Sequence, residues 1–285
     1  MPPKEKRLAI ILAISLVGIV IPIFLLSYRE RVQNFFIAFL DVGQGDAALI
    51  HFGKGAQMLV DCGPTRKVLA GLGRRMPFYD RTIEYLVVTH PDRDHYVGCI
   101  DVLDRYTVKH IWWNGYDTNK DPVWKVWKEK MAAEGAEIHV IDKEEELAFG
   151  DAVLRVFYPD HSVVNDPQVP GFDGSVSDNN ASIVMRIVHG RMSFLLTADA
   201  EKELEAYLAQ KYGDALRSDV LHVGHHGSNT SSIQEFLDAA HPSIGIISSG
   251  KGNRYGHPAP RVLKRLERAR AAIRRTDTEG DVVLW

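Results

Sequence analysis

The chain has 285 residues, which is enough for one large α/β domain with a substantial core. Its 34 lysines and arginines are offset by 37 aspartates and glutamates, so the net charge is −3. This balance excludes the globally basic surface that holds long duplex nucleic acid by counterion release, and a nucleic-acid role would need a local patch or a single strand at the active site.

The first 34 residues contain a long apolar run. Residues 8–26 carry no charge and would extend about 28 Å as a helix, close to the thickness of the hydrocarbon core of a bilayer. No small-residue cleavage site follows, and no charged residue interrupts the run as one would in a buried helix of a soluble protein. We therefore expect residues 1–34 to be a signal anchor and linker of a single-pass membrane protein. The slight excess of basic residues before the run favours an extracytoplasmic position for residues 35–285.

The first half of the remaining chain is rich in strand signals followed by helical segments. The elements that we predict are a buried strand at 36–41, a hairpin of 47–51 and 57–61 around Gly53-Lys54-Gly55, a helical or irregular region at 66–77, a strand at 85–88 and a helix at about 96–103. Residues 112–150 contain one predicted helix, 123–133, and short strands.

The second half repeats this pattern. Its predicted elements are a hairpin of 181–188 and 192–197, a helix at 200–212 and a strand at 220–223 that ends in a histidine cluster. Each half thus runs hairpin, aspartate, helical segment, strand and histidine cluster, which predicts a four-layer αββα sandwich. The polar segment 159–178 is either a lid or a surface insertion. A basic helix at 261–274 either exposes its charged face to solvent or steers a phosphate backbone.

The run from Thr89 to His95 is the most informative part of the sequence. It places His90, Asp92, Asp94 and His95 directly after an apolar strand, and Pro91 forces the chain to turn. Nitrogen and oxygen donors concentrated in this way are typical of a divalent metal site.

Two further donors follow strands of the second half, namely Asp199 and His225. Six donors are too many for one tetrahedral ion, and they suit two divalent ions with Asp199 bridging them.

Several motifs in order resemble those of the metallo-β-lactamase superfamily, and most closely its branch formed by the hydrolase domains of ComEC-type competence DNA-channel proteins. The motifs are FLDVGQGDA at 39–47, VDCG at 60–63, HPDRDH at 90–95, LLTAD at 195–199, HHGS at 225–228, YGHP at 255–258, and Thr276-Asp277 with Gly280 as a closing hairpin. The resemblance covers residues 35–285 and implies a metal-dependent hydrolase with the αββα fold.

Position by position, the resemblance assigns roles to the motif residues. The implied metal ligands are His90, Asp92, Asp94, His95, Asp199 and His225. Asp94 would also orient the nucleophile. His226 and His257 are implied as groups that protonate or contact the substrate, although His226 competes with His225 as the ligand. Asp92 replaces a usual histidine, and this richer oxygen set favours Mn²⁺ over Zn²⁺.

Four residues near these motifs are candidates to orient the ligands: Asp41, Asp46, Asp61 and Asn180. For Asp41 and Asp46 an equal alternative is that they belong to a polar turn and that their side chains hydrogen-bond only to the backbone of that turn. Cys62 and Cys99 are either two small buried thiols or, outside the cell, a disulfide.

The resulting hypothesis is a membrane-anchored, metal-dependent phosphodiesterase or nuclease that acts on single-stranded DNA, as in DNA uptake, with a DNA-channel protein as a candidate partner. One alternative is a hydrolase of small phosphodiesters or cell-envelope phosphoryl esters. Another is a subunit that binds DNA or a channel without catalysis, which an intact ligand set argues against.

Overall fold

The computed structural model describes residues 8, 10–12, 14–16, 18–19, 34–53, 56–117, 121–164, 167–172 and 177–285. The described residues between Leu8 and Ile19 are helical and exposed. The rest of the predicted span 8–26 and of the linker lies outside the described residues. Within the described part of the chain, no helix combines the length and the hydropathy needed to cross a bilayer.

The first of two central sheets is built mainly from the first half of the chain. Its strands are β1 (Phe35–Phe39), β2 (Ala48–Phe52), β3 (Gln57–Val60), β4 (Thr82–Val88), β5 (Thr107–Trp113), β6 (Glu137–Val140) and β14 (Val282–Leu284). Their order across the sheet is β14-β1-β2-β3-β4-β5-β6. The pairs from β3 to β6 are parallel, whereas β14, β1, β2 and β3 pair antiparallel.

The second sheet has the same plan. Its strands are β7 (Glu145–Phe149), β8 (Ala152–Tyr158), β9 (Val184–His189), β10 (Met192–Leu196), β11 (Val220–His222), β12 (Ile244–Ile247) and β13 (Ala272–Arg275). Their order is β13-β12-β11-β10-β9-β8-β7, with parallel pairs from β10 to β13 and antiparallel pairs from β7 to β10.

Helices cover the outer faces of both sheets. They are α1 (Lys67–Arg75), α2 (Arg93–Leu103), α3 (Pro122–Ala133), α4 (Lys202–Tyr212), α5 (Gln234–Ala240), α6 (Pro260–Arg268) and the short α7 (Thr276–Glu279). Helices α1 to α3 pack on the first sheet, and α4 to α6 on the second.

Strand β1 shows how the sequence produces these layers. Ile37 and Phe39 point into the core between the sheets, whereas Phe36 and Ala38 pack under the helices of the first sheet. Because a sheet covered on both faces needs apolar residues at every position, the strand is continuously apolar rather than alternating. The predicted αββα sandwich is confirmed.

Two predictions about the C-terminal part are wrong. The basic helix ends at Arg268 and not at Arg274, because Arg270 adopts a left-handed φ of 60° and residues 272–275 form β13 beside β12. Arg274 and Arg275 consequently pair with Glu279 and Asp277. The predicted closing hairpin is instead a crossover, since β13 lies in the second sheet and β14 pairs with β1 in the first.

One boundary near the metal-ligand run also differs from the prediction. Helix α2 begins at Arg93 rather than near Tyr96. The His95 amide donates to the Asp92 carbonyl at 2.9 Å, so Asp94 and His95 lie in the first helical turn. This turn fixes the two side chains more firmly than a loop would.

Candidate metal centre

Four strand ends meet at one edge of the sandwich and carry the candidate ligands. In the first sheet, β3 is followed by Asp61 and β4 by His90. In the second sheet, β10 leads to Asp199 and β11 to His225 and His226. Because β3 and β4 are parallel, as are β10 and β11, the residues after them emerge at the same edge of each sheet.

The backbone at these strand ends is left-handed at four residues that are not glycine. The φ angles are 57° at Asp61, 44° at Ala198, 48° at His225 and 55° at His226. Left-handed backbone is costly for residues with a Cβ, and such residues concentrate at functional sites. Here it turns the chain sharply after β3, β10 and β11 and directs side chains toward a common centre.

On the side of the first sheet, one buried carboxylate orients two histidines. Nδ1 of His95 donates to Oδ2 of Asp61 at 2.8 Å. The Thr89 hydroxyl donates to the same oxygen at 2.7 Å and lies 3.1 Å from Nδ1 of His90. Since the Nδ1 atoms of both rings are used in this way, their Nε2 atoms are left for the centre.

On the side of the second sheet, each histidine has its own carboxylate partner. Nδ1 of His225 lies 3.1 Å from Oε1 of Glu201, and Nδ1 of His226 lies 3.1 Å from Oδ1 of Asp46. The Nε2 atoms of both rings again face Asp199. All four imidazoles therefore share one orientation, in which an oxygen partner holds Nδ1 and Nε2 points inward.

The donor atoms fall into two neighbouring groups with Asp199 between them. In one group, Nε2 of His90 lies 3.9 Å from Oδ2 of Asp92 and 3.9 Å from Oδ2 of Asp199. Nε2 of His225 lies 3.8 Å from the same Asp199 oxygen. Two ligands that each lie about 2.0–2.2 Å from a shared ion are separated by such distances.

The second group is tighter. Nε2 of His226 lies 3.1 Å from Oδ2 of Asp94 and 3.5 Å from Oδ2 of Asp199. Nε2 of His95 lies 3.2 Å from Oδ1 of Asp199. Donor atoms of Asp94, His95 and His226 lie within 4.8 Å of one another, as do those of His90, His95 and Asp199.

Unpaired polar atoms show that this donor set fits metal ions. Nε2 of His90, Nε2 of His95 and Oδ1 of Asp199 are buried and make no hydrogen bond, although the last two lie 3.2 Å apart. A buried polar atom without a partner is costly, and a coordinated cation removes that cost. The three atoms belong to the residues that surround the centre, so the fit to metal is chemical as well as geometric.

Protons balance the charge of the side chains in this arrangement. Burial by itself lowers the pKa of His95, but the Asp199 and Asp61 carboxylates together raise it well above its usual value. Burial likewise lowers the pKa of His226, but the neighbouring carboxylates together raise it well above its usual value. Burial would raise the pKa of Asp94, yet the hydrogen bond with His226 lowers it to about 2. Divalent cations bind such a centre by displacing the histidine protons.

The structure thus brings all six residues predicted as ligands to one place, together with His226. Their roles as ligands stay predictions. His257 is close as well, with its ring centroid 5.7 Å from that of His225 and 6.3 Å from that of His226. Burial and the neighbouring His226 lower its pKa, and its Nδ1 is buried without a hydrogen-bond partner.

The residues predicted to support the ligands lie in different settings. Asp46 and Asp61 contact the histidine rings directly. The side-chain oxygen of Asn180 accepts a hydrogen bond from the backbone amide of Glu201 at 2.9 Å and so fastens the segment that follows Asp199. The Asp41 carboxylate accepts a hydrogen bond from the backbone amide of Gly43 at 3.1 Å. This is a contact within its own turn, as in the alternative interpretation of Asp41 from the sequence.

Sequence reasoning missed several side chains that contact the ligands. They are Thr89, Asn179, Ser182, Glu201 and Thr230. In addition, the backbone carbonyl oxygen of Ser248 lies 3.1 Å from Nδ1 of His226. For Glu201 a signal existed, since it stands two residues after Asp199. The others are short polar residues in loops, and only their three-dimensional placement distinguishes them from ordinary turn residues.

A disulfide fastens the first-sheet side of the centre. Cys62, which follows Asp61, is bonded to Cys99 of α2, and both are fully buried. Next to it, a Cβ on Gly98 would lie 2.1 Å from the Cys62 carbonyl oxygen, so α2 packs directly on this loop.

Comparisons with known proteins agree with this geometry. The family model described as the Metallo-beta-lactamase superfamily matches residues 40–251. "ComE operon protein 3" of Bacillus subtilis is 30% identical over 262 residues, which cover 85% of the chain and 32% of that protein. "Competence protein ComA" of Neisseria gonorrhoeae is 42% identical over 106 residues, which cover 37% of the chain and 15% of that protein. The chain thus spans about a third or less of the length of these relatives.

Among solved structures, CmlA, a diiron β-hydroxylase from Streptomyces venezuelae, matches with a TM-score of 0.54 at 15% identity, covering 88% of the chain and 54% of CmlA. This similarity shows a shared fold.

Proposed function

The chain belongs to the metallo-β-lactamase superfamily, and we propose that it is a membrane-anchored, metal-dependent phosphodiesterase that cleaves single-stranded DNA. The observation that carries the hydrolytic part is the pair of donor groups that share the buried Asp199 carboxylate. The similarity to a protein named as a competence protein supports DNA as the substrate.

We assign the ligands to two ions. The first would be held by His90, Asp92, Asp199 and His225, and the second by Asp94, His95, Asp199 and His226. When bound, paired divalent cations lower the pKa of water enough to supply a nucleophile near neutral pH and neutralise charge on a phosphoryl oxygen. Mn²⁺ and Zn²⁺ are the candidate ions, and the three carboxylates favour Mn²⁺.

The side chains around the ligands perform the remaining tasks. Asp94 keeps its carboxylate ionised, since its pKa is lowered to about 2, and can accept a hydrogen bond from the attacking water. His257 has a lowered pKa and is therefore neutral near pH 7. A neutral imidazole donates a hydrogen bond rather than a full proton, so we assign His257 to the stabilisation of the leaving oxygen.

The chain is proposed to have two parts, an anchor and linker at 1–34 and a hydrolase domain at 35–285. The disulfide between Cys62 and Cys99 supports an extracytoplasmic position for the hydrolase domain, because disulfides persist in oxidising compartments. A DNA-channel protein is the proposed partner.

Hydrolysis by the full chain tests this proposal. The purified 285-residue chain, stripped of metal and resupplied with Mn²⁺ or Zn²⁺, is incubated with end-labelled single-stranded DNA and, separately, with bis(p-nitrophenyl) phosphate. We expect metal-dependent cleavage of both substrates, lost in Asp199→Asn and retained in Asp238→Asn, where the same change is made on the exposed face of α5. Cleavage of the small ester alone would indicate the small-phosphodiester alternative, and binding without cleavage the non-catalytic one.

A further inference from the structure

A cationic and aromatic loop lies at the edge of the metal centre. We call residues 250–257, between β12 and α6, the rim loop. Its first residue, Gly250, donates its amide to the Gln44 side chain at 3.1 Å, and its last, His257, approaches His225 and His226. The rim loop therefore connects loops of both sheets at the mouth of the centre.

Internal hydrogen bonds hold the rim loop in one shape. The Asn253 side-chain amide donates to the carbonyls of Gly250 at 2.9 Å and His257 at 2.6 Å. Its carbonyl oxygen accepts the amides of Tyr255 at 3.1 Å and His257 at 3.0 Å. A loop held in this way presents its side chains with little loss of conformational entropy on binding.

Tyr255 is the aromatic residue that the rim loop exposes. Its side chain is 56% exposed, and its ring is stacked beside His257 at a centroid distance of 5.7 Å and an interplanar angle of 25°. His257 is in turn 5.7 Å from His225. Tyr255 is thus linked through one intervening ring to a candidate metal ligand.

The charges of the rim loop are all positive. Lys251 and Arg254 are its charged residues, and it contains no carboxylate, although the whole chain has a net charge of −3. The Arg254 guanidinium lies 5.1 Å from the centre of the Tyr255 ring and donates to the Tyr255 hydroxyl at 3.0 Å. Arg254 and Tyr255 therefore form one exposed surface, which we call the Arg254–Tyr255 platform.

We propose that the Arg254–Tyr255 platform is a base-stacking subsite that binds a nucleobase of single-stranded DNA adjacent to the phosphate being cleaved. The inference rests on the proposed function and adds to it the feature that distinguishes a polynucleotide from a small phosphodiester. Unpaired bases stack on exposed aromatic rings whatever their sequence, and neighbouring cations hold the backbone. A small phosphodiester whose second substituent is a methyl group has no ring to stack there and gains nothing from the platform.

Binding is measured first, on the full chain with Ca²⁺ in place of Mn²⁺ to slow cleavage. The probe is a single-stranded oligonucleotide containing 2-aminopurine, whose fluorescence is quenched when it stacks. We expect quenching with the wild-type chain and with Tyr255→Phe, and about tenfold weaker binding with little quenching for Tyr255→Ala. The control is Phe78→Ala, which also removes an exposed aromatic ring, since Phe78 is 86% exposed. Phe78 precedes β4 and so lies at the end of that strand that is away from the centre. This variant should bind the oligonucleotide as the wild type does.

A matched substrate separates stacking from a structural effect on His257. An oligonucleotide with abasic sites lacks the base that would stack. Its affinity for the wild-type chain should therefore be about as low as the affinity of the normal oligonucleotide for Tyr255→Ala. Replacing Tyr255 by alanine should lower the affinity for the abasic oligonucleotide little further. Equal quenching in Tyr255→Ala and wild type, or the same loss for abasic and normal strands, would overturn the proposal.

Steady-state hydrolysis keeps this inference distinct from the proposed function. The two substrates are DNA and methyl p-nitrophenyl phosphate, which has no aromatic ring besides its leaving group. We expect Tyr255→Ala to raise the KM for DNA about ten times more than it raises the KM for the small ester. If the wild-type chain cleaves neither substrate, the proposed function fails. If it cleaves both and Tyr255→Ala changes the two KM values by the same factor, only the platform fails.

Discussion

The carboxylate of Asp61 accepts the Nδ1 hydrogen of His95 at 2.8 Å, within a region from which solvent is excluded. Asp61 emerges from the end of β3 with a left-handed backbone, and His95 lies in the first turn of α2. This contact fixes the tautomer of His95 and directs its Nε2 atom toward Asp199, 3.2 Å away.

Replacement of Asp61 by asparagine should therefore weaken metal binding without touching a metal ligand. We expect Asp61→Asn to lower the affinity for Mn²⁺ or Zn²⁺ by roughly 10- to 100-fold, as measured by competition with a chelator. The control is Asp219→Asn, which disturbs a carboxylate that accepts both the amide and the hydroxyl of Ser193 outside the centre. It should lower the melting temperature and leave the metal affinity at the wild-type value. Equal metal affinities in both variants would show that the Asp61 contact does not orient a ligand.

Metal affinity should rise with pH. The raised pKa values of His95 and His226 mean that, without metal, both rings hold their protons to a higher pH than an ordinary histidine. A cation must displace those protons, so affinity falls as the pH drops below the raised values and levels off above them. Calorimetric titrations in buffers of different ionisation enthalpy measure the protons released. Binding that releases none near pH 6 would contradict this account.

The disulfide should stabilise the fold and the centre together. Cys62 and Cys99 are separated by 37 positions, and closing a loop of that length contributes about 3–4 kcal/mol in the chain-entropy model. Urea denaturation of the double variant Cys62→Ala/Cys99→Ala should show a free energy of unfolding lower by about that amount. The metal affinity of the folded variant should also fall, because the bond ties the Asp61 loop to the helix that carries His95. Identical unfolding curves for the variant and the wild type would refute the prediction.

Gly45 should tolerate no side chain. Its φ is 140°, and a Cβ there would lie 2.2 Å from the carbonyl oxygen of Asp94. Gly45→Ala should lower the free energy of unfolding by about 2 kcal/mol or more and reduce hydrolysis, because the Asp46 loop would move away from α2. The matched change Gly73→Ala, in the exposed interior of α1 with open space around it, should instead raise stability by about 1 kcal/mol. Equal effects of the two changes would contradict the packing described.

Much of the fold was predictable because its signals are local. Apolar strands and turn residues predicted the hairpin of β2 and β3 and that of β9 and β10, and the repeat of the two halves predicted the four layers. The end of α6 and the formation of β13 were not predictable from propensity. Alanine and arginine favour helix, but pairing with β12 provides hydrogen bonds that outweigh that preference.

The candidate ligands could be found because they follow strands within compact motifs. The assignment of the ligands to two ions was harder to predict, since it depends on which nitrogen of each histidine ring already makes a hydrogen bond. Nδ1 of His226 contacts Asp46, which is 180 positions away in the sequence. Such a contact comes from the packing of one sheet on the other, and no spacing along the chain encodes it.

Metal content tests the central claim most directly. The account predicts that the wild-type chain, loaded with Mn²⁺ or Zn²⁺ and freed of excess ion, retains about two ions per chain by inductively coupled plasma mass spectrometry, and that Asp199→Asn loses both because each donor group includes Asp199. A wild-type chain that retains no ion, or an Asp199→Asn chain that still retains two, would contradict it.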